Sequence, residues 1–239
     1  MSGIILLPTL NRTKLVKQFF ASYEATHAEV PGILLVDEHD FDNNQTAYEE
    51  IIKLLPSNWE LKETGNAVSM GDKIRFIWPE LSGYLWIGLL NDDHFCVTEE
   101  WDKKVEGMLD GTNMVSTNDG NWNFGVRVVG LTAWSKPLLD CAGFPIFPRN
   151  LQHLYIDDVW KAIGEATGCW RETNKINIEH RHVFFHKMAK DETFEKVYAQ
   201  PSWEYDSKEF KHFMEQDFNK VVERVKALRA DETLKGSFL

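Results

Sequence analysis

The sequence predicts an α/β fold: one domain with a mostly parallel central sheet flanked by helices, followed by a C-terminal amphipathic helix. Three observations predict it. Strand-like and helix-like stretches alternate through the first half of the 239 residues. Residues 84–90 are almost wholly apolar and stop abruptly at Asn91, Asp92, Asp93 and His94, as a strand buried on both faces does. A composition of 43% hydrophobic and 26% charged residues supplies a core with a polar surface around it.

Taken in order, residues 3–7 read as a strand. Asn11, Arg12 and Thr13 then open a helix carrying Leu15, Val16, Phe19, Phe20 and Tyr23 on one face. Residues 33–36 form a second strand ending at Asp37, and Asn43 or Asn44 caps a helix running to about Leu55. Residues 59–62 are a weaker strand, and residues 69–78 a short helix halted by Pro79. The buried strand at 84–90 completes a β-α-β-α-β-α-β order, which implies parallel strands with right-handed crossovers. The second half is less regular. It predicts a helix from Thr98 or Glu99 through Leu109 and a strand at 114–116. A polar loop follows at 117–125, then a strand at 126–129 and a short helix at 135–141. The segment GFPIFPRN, with two prolines and a glycine, reads as a connection, followed by a helix at 155–167 and a strand at 176–183. Residues 207–228 form one long amphipathic helix, with Phe210, Phe213, Met214, Phe218, Val221, Val225 and Leu228 on its apolar face. Residues 1–200 are expected to be the domain proper and 201–239 a helical extension packed on it. The last helix can supply a dimer contact.

The bulk numbers exclude some classes. A net charge of −11 argues against gripping nucleic acid over a broad basic surface, while leaving room for a local groove. Cys96, Cys141 and Cys169 are odd in number, widely spaced and form no CxxC pair, which fits a reducing compartment. No apolar stretch approaches the ~20 residues that cross a bilayer, so a soluble, cytoplasmic protein is expected. GxGxxG and Walker patterns are missing, which disfavours dinucleotide and P-loop chemistry.

Asp92 and Asp93 stand where open α/β sheets place their ligand crevice, at the C-terminal end of a buried strand. Adjacent acids repel unless a cation compensates them, and a divalent metal carrying a phosphorylated ligand is the expected one. The plainer reading is a polar turn capping the next helix. His180 and His182, two apart in a strand, point to one side and with carboxylates make a mixed set suited to Mn²⁺. Asp157 and Asp158 start a helix, where acids meet the helix dipole favourably. They are also placed to act as a general base. Asp37 ends a strand at a ligand-facing position, or caps the next turn. Lys73 and Arg75 can meet phosphate oxygens, or can simply be solvated cations. Trp122, Trp134 and Trp160 can line an acceptor groove.

Residues 3–190 resemble the nucleotide-sugar glycosyltransferases of the GT-A (Rossmann-like) fold, closest in layout to family 2-like members. LLPTLNR resembles the opening strand and loop that meet the nucleotide, which points to Pro8, Thr9 and Arg12. ILLVDEHD resembles the strand whose terminal acid holds the base, here Asp37. GNAVSMGDKIRF stands where the family carries a Gly-x-x-x-Ala-Arg-Asn stretch, with Lys73 and Arg75 approximating it. LLNDDHF resembles the Asp-x-Asp metal motif with Asn91 in the first position, so that Asp92, Asp93 or both hold the metal. GFPIFPRNLQHLYIDDVW resembles the motif that supplies the base of inverting members, here Asp158 or Asp157. IEHRHVFFHK resembles the downstream histidine segment.

The resemblance implies a hexosyl- or pentosyltransferase using Mn²⁺ or Mg²⁺ and a nucleoside-diphosphate sugar, a UDP-sugar above others. It would act on a hydroxyl of a polysaccharide or of a hydroxylated base in viral DNA. A DNA acceptor would demand a cationic strip built from Arg127, Lys136, Arg149, Lys161, Arg171 and Lys175. A sugar nucleotidyltransferase is the nearest rival, but LLPTLNR lacks its Gly-rich loop. Asn91 keeps a non-catalytic nucleotide-sugar-binding protein in view.

Overall fold

Why the first strand is buried on both faces is visible in its alternation. In β1 (Gly3–Pro8), Ile4 and Leu6 join one hydrophobic cluster while Ile5 and Leu7 join another on the opposite face of the sheet. Deleting a side chain such as Leu6 costs ~2–5 kcal/mol, because neither layer can collapse onto the gap. These relations come from a computed structural model that describes residues 3–120, 130–148, 150–183 and 187–231.

The first half follows the alternating plan. After β1 come α1 (Thr13–Ala25), β2 (Gly32–Val36), α2 (Glu38–Asn43), α3 (Gln45–Leu54), β3 (Trp59–Glu63) and α4 (Met70–Ile77). A 3-10 turn (Trp78–Gly83) with Pro79 in its first turn leads into β4 (Trp86–Leu89). Strands β3, β2, β1 and β4 lie side by side and parallel. Gly3 faces Trp86 and Gly32 faces Trp59 across the ladder, and a side chain at either glycine would occupy the indole's place.

The second half adds β5 (His94–Cys96), α5 (Trp101–Glu106), β6 (Met114–Asn118), β7 (Thr132–Ser135), α6 (Lys136–Ala142), α7 (Ile156–Thr167) and β8 (Trp170–His180). Helices α8 (Glu192–Val197), α9 (Gln200–Gln216) and α10 (Phe218–Ala230) close the described chain. The eight strands run in the order β3-β2-β1-β4-β7-β6-β8-β5. Strand β7 is antiparallel to both β4 and β6, and β5 is antiparallel to β8, so this half of the sheet is mixed.

Several local expectations change. Strands β5 and β7 are too short to show an alternating pattern in sequence. The expected strand at 126–129 lies outside the described residues. The expected helix at 98–109 is confined to α5, and the last strand begins earlier and ends at His180. Asn44 is the N-cap residue of α3, the helix that runs to Leu54, though without a side-chain capping bond, and Asp37 caps an additional short helix, α2, before it. The single C-terminal helix is two, broken at Asp217, and Val221 and Val225 of α10 enter the same cluster as Ile4 and Leu6. Among the described residues no helix is long and apolar enough to cross a membrane.

Candidate functional site

The C-terminal ends of β1 and β4 open into a cavity of about 480 Å³, walled by α4, the loop before α7, the end of β8 and α8. Two sheet strands ending side by side leave their following turns to line a crevice, which is where ligands sit in open α/β sheets. Thr9 Oγ1 donates to Asp92 Oδ2 at 2.7 Å, and Arg12 Nη1 donates to Asp92 Oδ1 at 3.0 Å. The same guanidinium lies 3.7 Å from Asp93 Oδ2 and forms two bonds, 2.8 and 2.9 Å, to Asp191 at the start of α8. Burial opposes the charge on Arg12, but Asp92, Asp191 and Asp93 together raise its pKa above the ordinary value. Part of the compensation for the acidic pair is therefore built into the chain. Burial raises Asp92, and the charge of Asp93 adds to it.

Antiparallel pairing builds the other side of the centre. His94 of β5 stands directly opposite His180 of β8, their rings edge to face at 4.3 Å. His180 Nε2 lies 3.2 Å from Asp93 Oδ1. Burial works against both charges, yet the contact holds Asp93 low and His180 high. Asp93, His94 and His180 are all buried and bring one potential ligand atom each within 4.8 Å of one another. One carboxylate and two imidazoles form a donor set that suits Mn²⁺. His94 Nδ1 accepts the N–H of Asn91 at 2.9 Å, so Nε2 carries the proton of the neutral ring. His94 can serve a cation only by releasing that bond, through Nδ1 or, with the ring proton moved to Nδ1, through Nε2.

Asp157 and Asp158 sit in the first turn of α7 and line the cavity. Asp157 is accessible where it lines the cavity, with protein packed around its carboxylate. This desolvation pushes its pKa up to about 6, with His180 pulling it down and Asp158 raising it. The loop before α7 is pinned from two sides. The buried Asp206 of α9 accepts the N–H groups of Gln152, His153 and Leu154 at 2.9, 3.0 and 2.8 Å. From α4, Gly71 N–H donates to Gln152 O at 2.8 Å.

The sequence matches no protein family and no curated protein. Among solved structures, it is similar to S. aureus TarS residues 1–349, with a TM-score of 0.56 and 12% identity over 74% of this chain and 59% of that one. A second S. aureus TarS structure gives the same score and identity over 74% of this chain and 36% of its own. A mycobacterial protein gives 0.53 and 11% identity, over 76% of this chain and 68% of its own. The chain shares the fold of these structures, the GT-A-like α/β fold expected from the sequence. It spans about three fifths of the TarS fragment.

On this GT-A-like frame the expected residues divide. Pro8, Thr9, Arg12, Lys73, Asp92, Asp93, Asp157, Asp158, His180 and His182 all line the cavity. Asp37 does not: it is buried, accepts the N–H of Asp40 at 3.0 Å and lies 3.0 Å from Lys73 Nζ. It reaches the cavity only through Lys73, which also donates to Thr9 O at 2.5 Å. Arg75 is turned away, toward Asp72 at 2.8 Å and Leu151 O at 3.3 Å. His182 lies beside His180, with ring centroids 5.0 Å apart, but is bonded to Tyr198 at 3.3 Å and stands outside the three-residue cluster. Burial, then His180, lowers its pKa to about 4. His94 takes the place expected of His182 in that cluster.

Trp134 lines the cavity, Trp160 is in the core, and Trp122 lies outside the described residues. Of the cationic strip, Arg127 and Arg149 lie outside the described residues, and none of the other four lines the cavity. Lys136, Lys161 and Arg171 pair instead with Asp140, Glu165 and Asp110. His94, Asp191, Tyr155, Tyr198 and Trp203 are contributors that sequence reading did not single out. An acid at a helix start and isolated aromatics carry no local signal of a distant site.

Proposed function

We propose that the chain is a metal-dependent glycosyltransferase that moves a sugar from a UDP-sugar to an acceptor hydroxyl with inversion. One observation carries this reading: the adjacent Asp93 and His94 meet the distant His180 beside a cavity that also holds Asp157 and Asp158. Asp93 and His180 would hold Mn²⁺ or Mg²⁺, with His94 joining on release of its bond to the Asn91 N–H. When bound, the cation neutralises charge on the departing diphosphate.

The chain's own groups do the rest. Thr9 and Arg12 face the diphosphate from the β1 end, and Lys73 adds a buried positive charge behind them. Asp157 takes the proton of the acceptor hydroxyl as its oxygen attacks the anomeric carbon and the bond to the diphosphate breaks. Its pKa of about 6 suits a base working near neutrality, and the charge of His180 reaches it directly. Asp158 is the neighbouring alternative. The free cysteines Cys96, Cys141 and Cys169 support a cytoplasmic location.

The test is calorimetry of UDP with and without MnCl₂, followed by a hydrolysis screen of UDP-sugars. Mn²⁺-dependent binding with released UDP is the expected result, whereas pyrophosphate release from UTP would indicate a nucleotidyltransferase. Tight metal-dependent UDP binding with no turnover would favour the binding-protein reading that Asn91 keeps open. UDP binding indifferent to metal would overturn the proposal.

A further inference from the structure

Helix α9 brings a large aromatic face to the cavity, and the transfer chemistry above does not use it. Trp203 is 47% exposed, yet it lines the cavity. Its ring meets Tyr155 edge-on at 5.7 Å, and Tyr155 in turn stacks on Phe210 at 5.1 Å. Tyr155 has φ of 63°, a left-handed backbone that a bulky L residue rarely takes. The pinned loop maintains that conformation: Asp206 binds its three preceding N–H groups and lies one helical turn from Trp203. One buried carboxylate thus holds the two rings against each other. Strained backbone that the surroundings over-determine clusters at ligand-binding positions.

Charge decides what such a platform can take. Asp92, Asp93, Asp157 and Asp158 line the same cavity. Its cations Arg12 and Lys73 are ion-paired with Asp92 and Asp191, and with Asp37. Among the described residues no cationic strip lines the cavity, so a nucleic-acid polyanion would meet like charge there. A neutral ring can lay its apolar C–H face on the indole and leave its hydroxyls in water.

We propose that Trp203 and Tyr155 form an acceptor subsite for an uncharged carbohydrate ring. Tyr155 stands two residues before Asp157, so a sugar resting on the platform presents a hydroxyl to the candidate base. The assignment of this ring as acceptor rests on the glycosyltransferase reading.

The test follows the indole N–H resonance of Trp203 in the full chain. The probes are neutral xylo-, malto- and chito-oligosaccharides, a short single-stranded oligodeoxynucleotide, and UDP with MnCl₂. At least one neutral oligosaccharide should shift that resonance. Trp203→Ala should weaken its binding by about tenfold or more, while Trp203→Phe, which keeps an aromatic face, should bind within about threefold of the parent. The affinity for UDP with MnCl₂ should be the same in all three proteins. The proposal is overturned if no oligosaccharide shifts the resonance, or if the oligonucleotide binds in a Trp203-dependent way. It is also overturned if Trp203→Ala weakens UDP binding as much as oligosaccharide binding, which would make the ring a contact of the donor's base. If UDP with MnCl₂ fails to bind while the oligosaccharide still does, the transferase reading falls and the carbohydrate platform stands.

Discussion

The two halves of the sheet place their functional side chains by different rules. In the parallel half, β3-β2-β1-β4, the side chains that matter stand where strands end: Thr9 after β1, Asp37 after β2, Asp92 and Asp93 after β4. In the mixed half they stand where strands pair: His94 faces His180 only because β5 runs antiparallel to β8. Position after a strand is a local property of the chain, whereas a cross-strand partner belongs to the finished fold. The first half therefore presents its chemistry early in the chain, and the second completes it.

If each half contributes as described, breaking one should leave a recognisable remainder of the other. The largest effect is expected at Lys73, buried against Asp37 at 3.0 Å. Lys73→Met leaves an uncompensated buried carboxylate and should cost ~3–5 kcal/mol of stability. Adding Asp37→Leu should restore part of it, the remainder being the ~0.5–2 kcal/mol of the cap that Asp37 gives the Asp40 N–H. Denaturant melts of the parent, single and double variants measure this, and a double variant no better than the single one would sink the ion-pair account.

Asp93 comes next, at the junction of the two halves. Asp93→Asn should lower UDP-sugar hydrolysis by about 10²–10³-fold, or ~3–4 kcal/mol of transition-state stabilisation, while the far-ultraviolet circular dichroism stays native. Full hydrolysis by this variant would remove Asp93 from the chemistry.

The same contrast explains what could be read in advance. Residues 84–90 announce β4 because a strand covered on both faces needs apolar side chains throughout, and the acids beyond it mark the crevice. The opening β-α alternation and the first turn of α7 were legible for equally local reasons. The pairing of His94 with His180 was not, since a three-residue strand has no period to detect. Arg12 is 179 residues from Asp191, and nothing near it distinguishes an internal counter-ion from a solvated arginine. Asp37 obeys the strand-end rule in position, but a buried lysine from α4 claims its carboxylate. The break at Asp217 carries neither glycine nor proline, so the amphipathic pattern runs through it unmarked.

In the mixed half, Asp206 offers a smaller but more diagnostic change. Asp206→Asn keeps one acceptor oxygen for three N–H donors and should cost ~1–3 kcal/mol. If the carboxylate holds the loop, hydrogen exchange at Gln152, His153 and Leu154 should accelerate while that of β1 and β4 is unchanged. Uniform acceleration across both halves would mean that the residue supports the whole fold rather than the loop.

The smallest effect is expected from His153, which sits on that same loop. Burial lowers its pKa from 6.5 to about 4, with Asp206 pulling upward and Lys73 downward. Between those values the unfolded chain takes up the proton and the folded chain does not. Stability should therefore decline as pH falls below about 6.5 and level off near 4 for this group. Because the ring is partly exposed, the loss should be ~1–2 kcal/mol, below the full value of the shift. His153→Gln should flatten that segment of the stability curve relative to the parent chain. His182, lowered to about 4 in the same direction, supplies an internal comparison at the other wall of the cavity. A His153→Gln curve that superimposes on the parent between pH 6.5 and 4 would show that the loop admits the charged ring freely, and that its seal against α4 and α9 is loose.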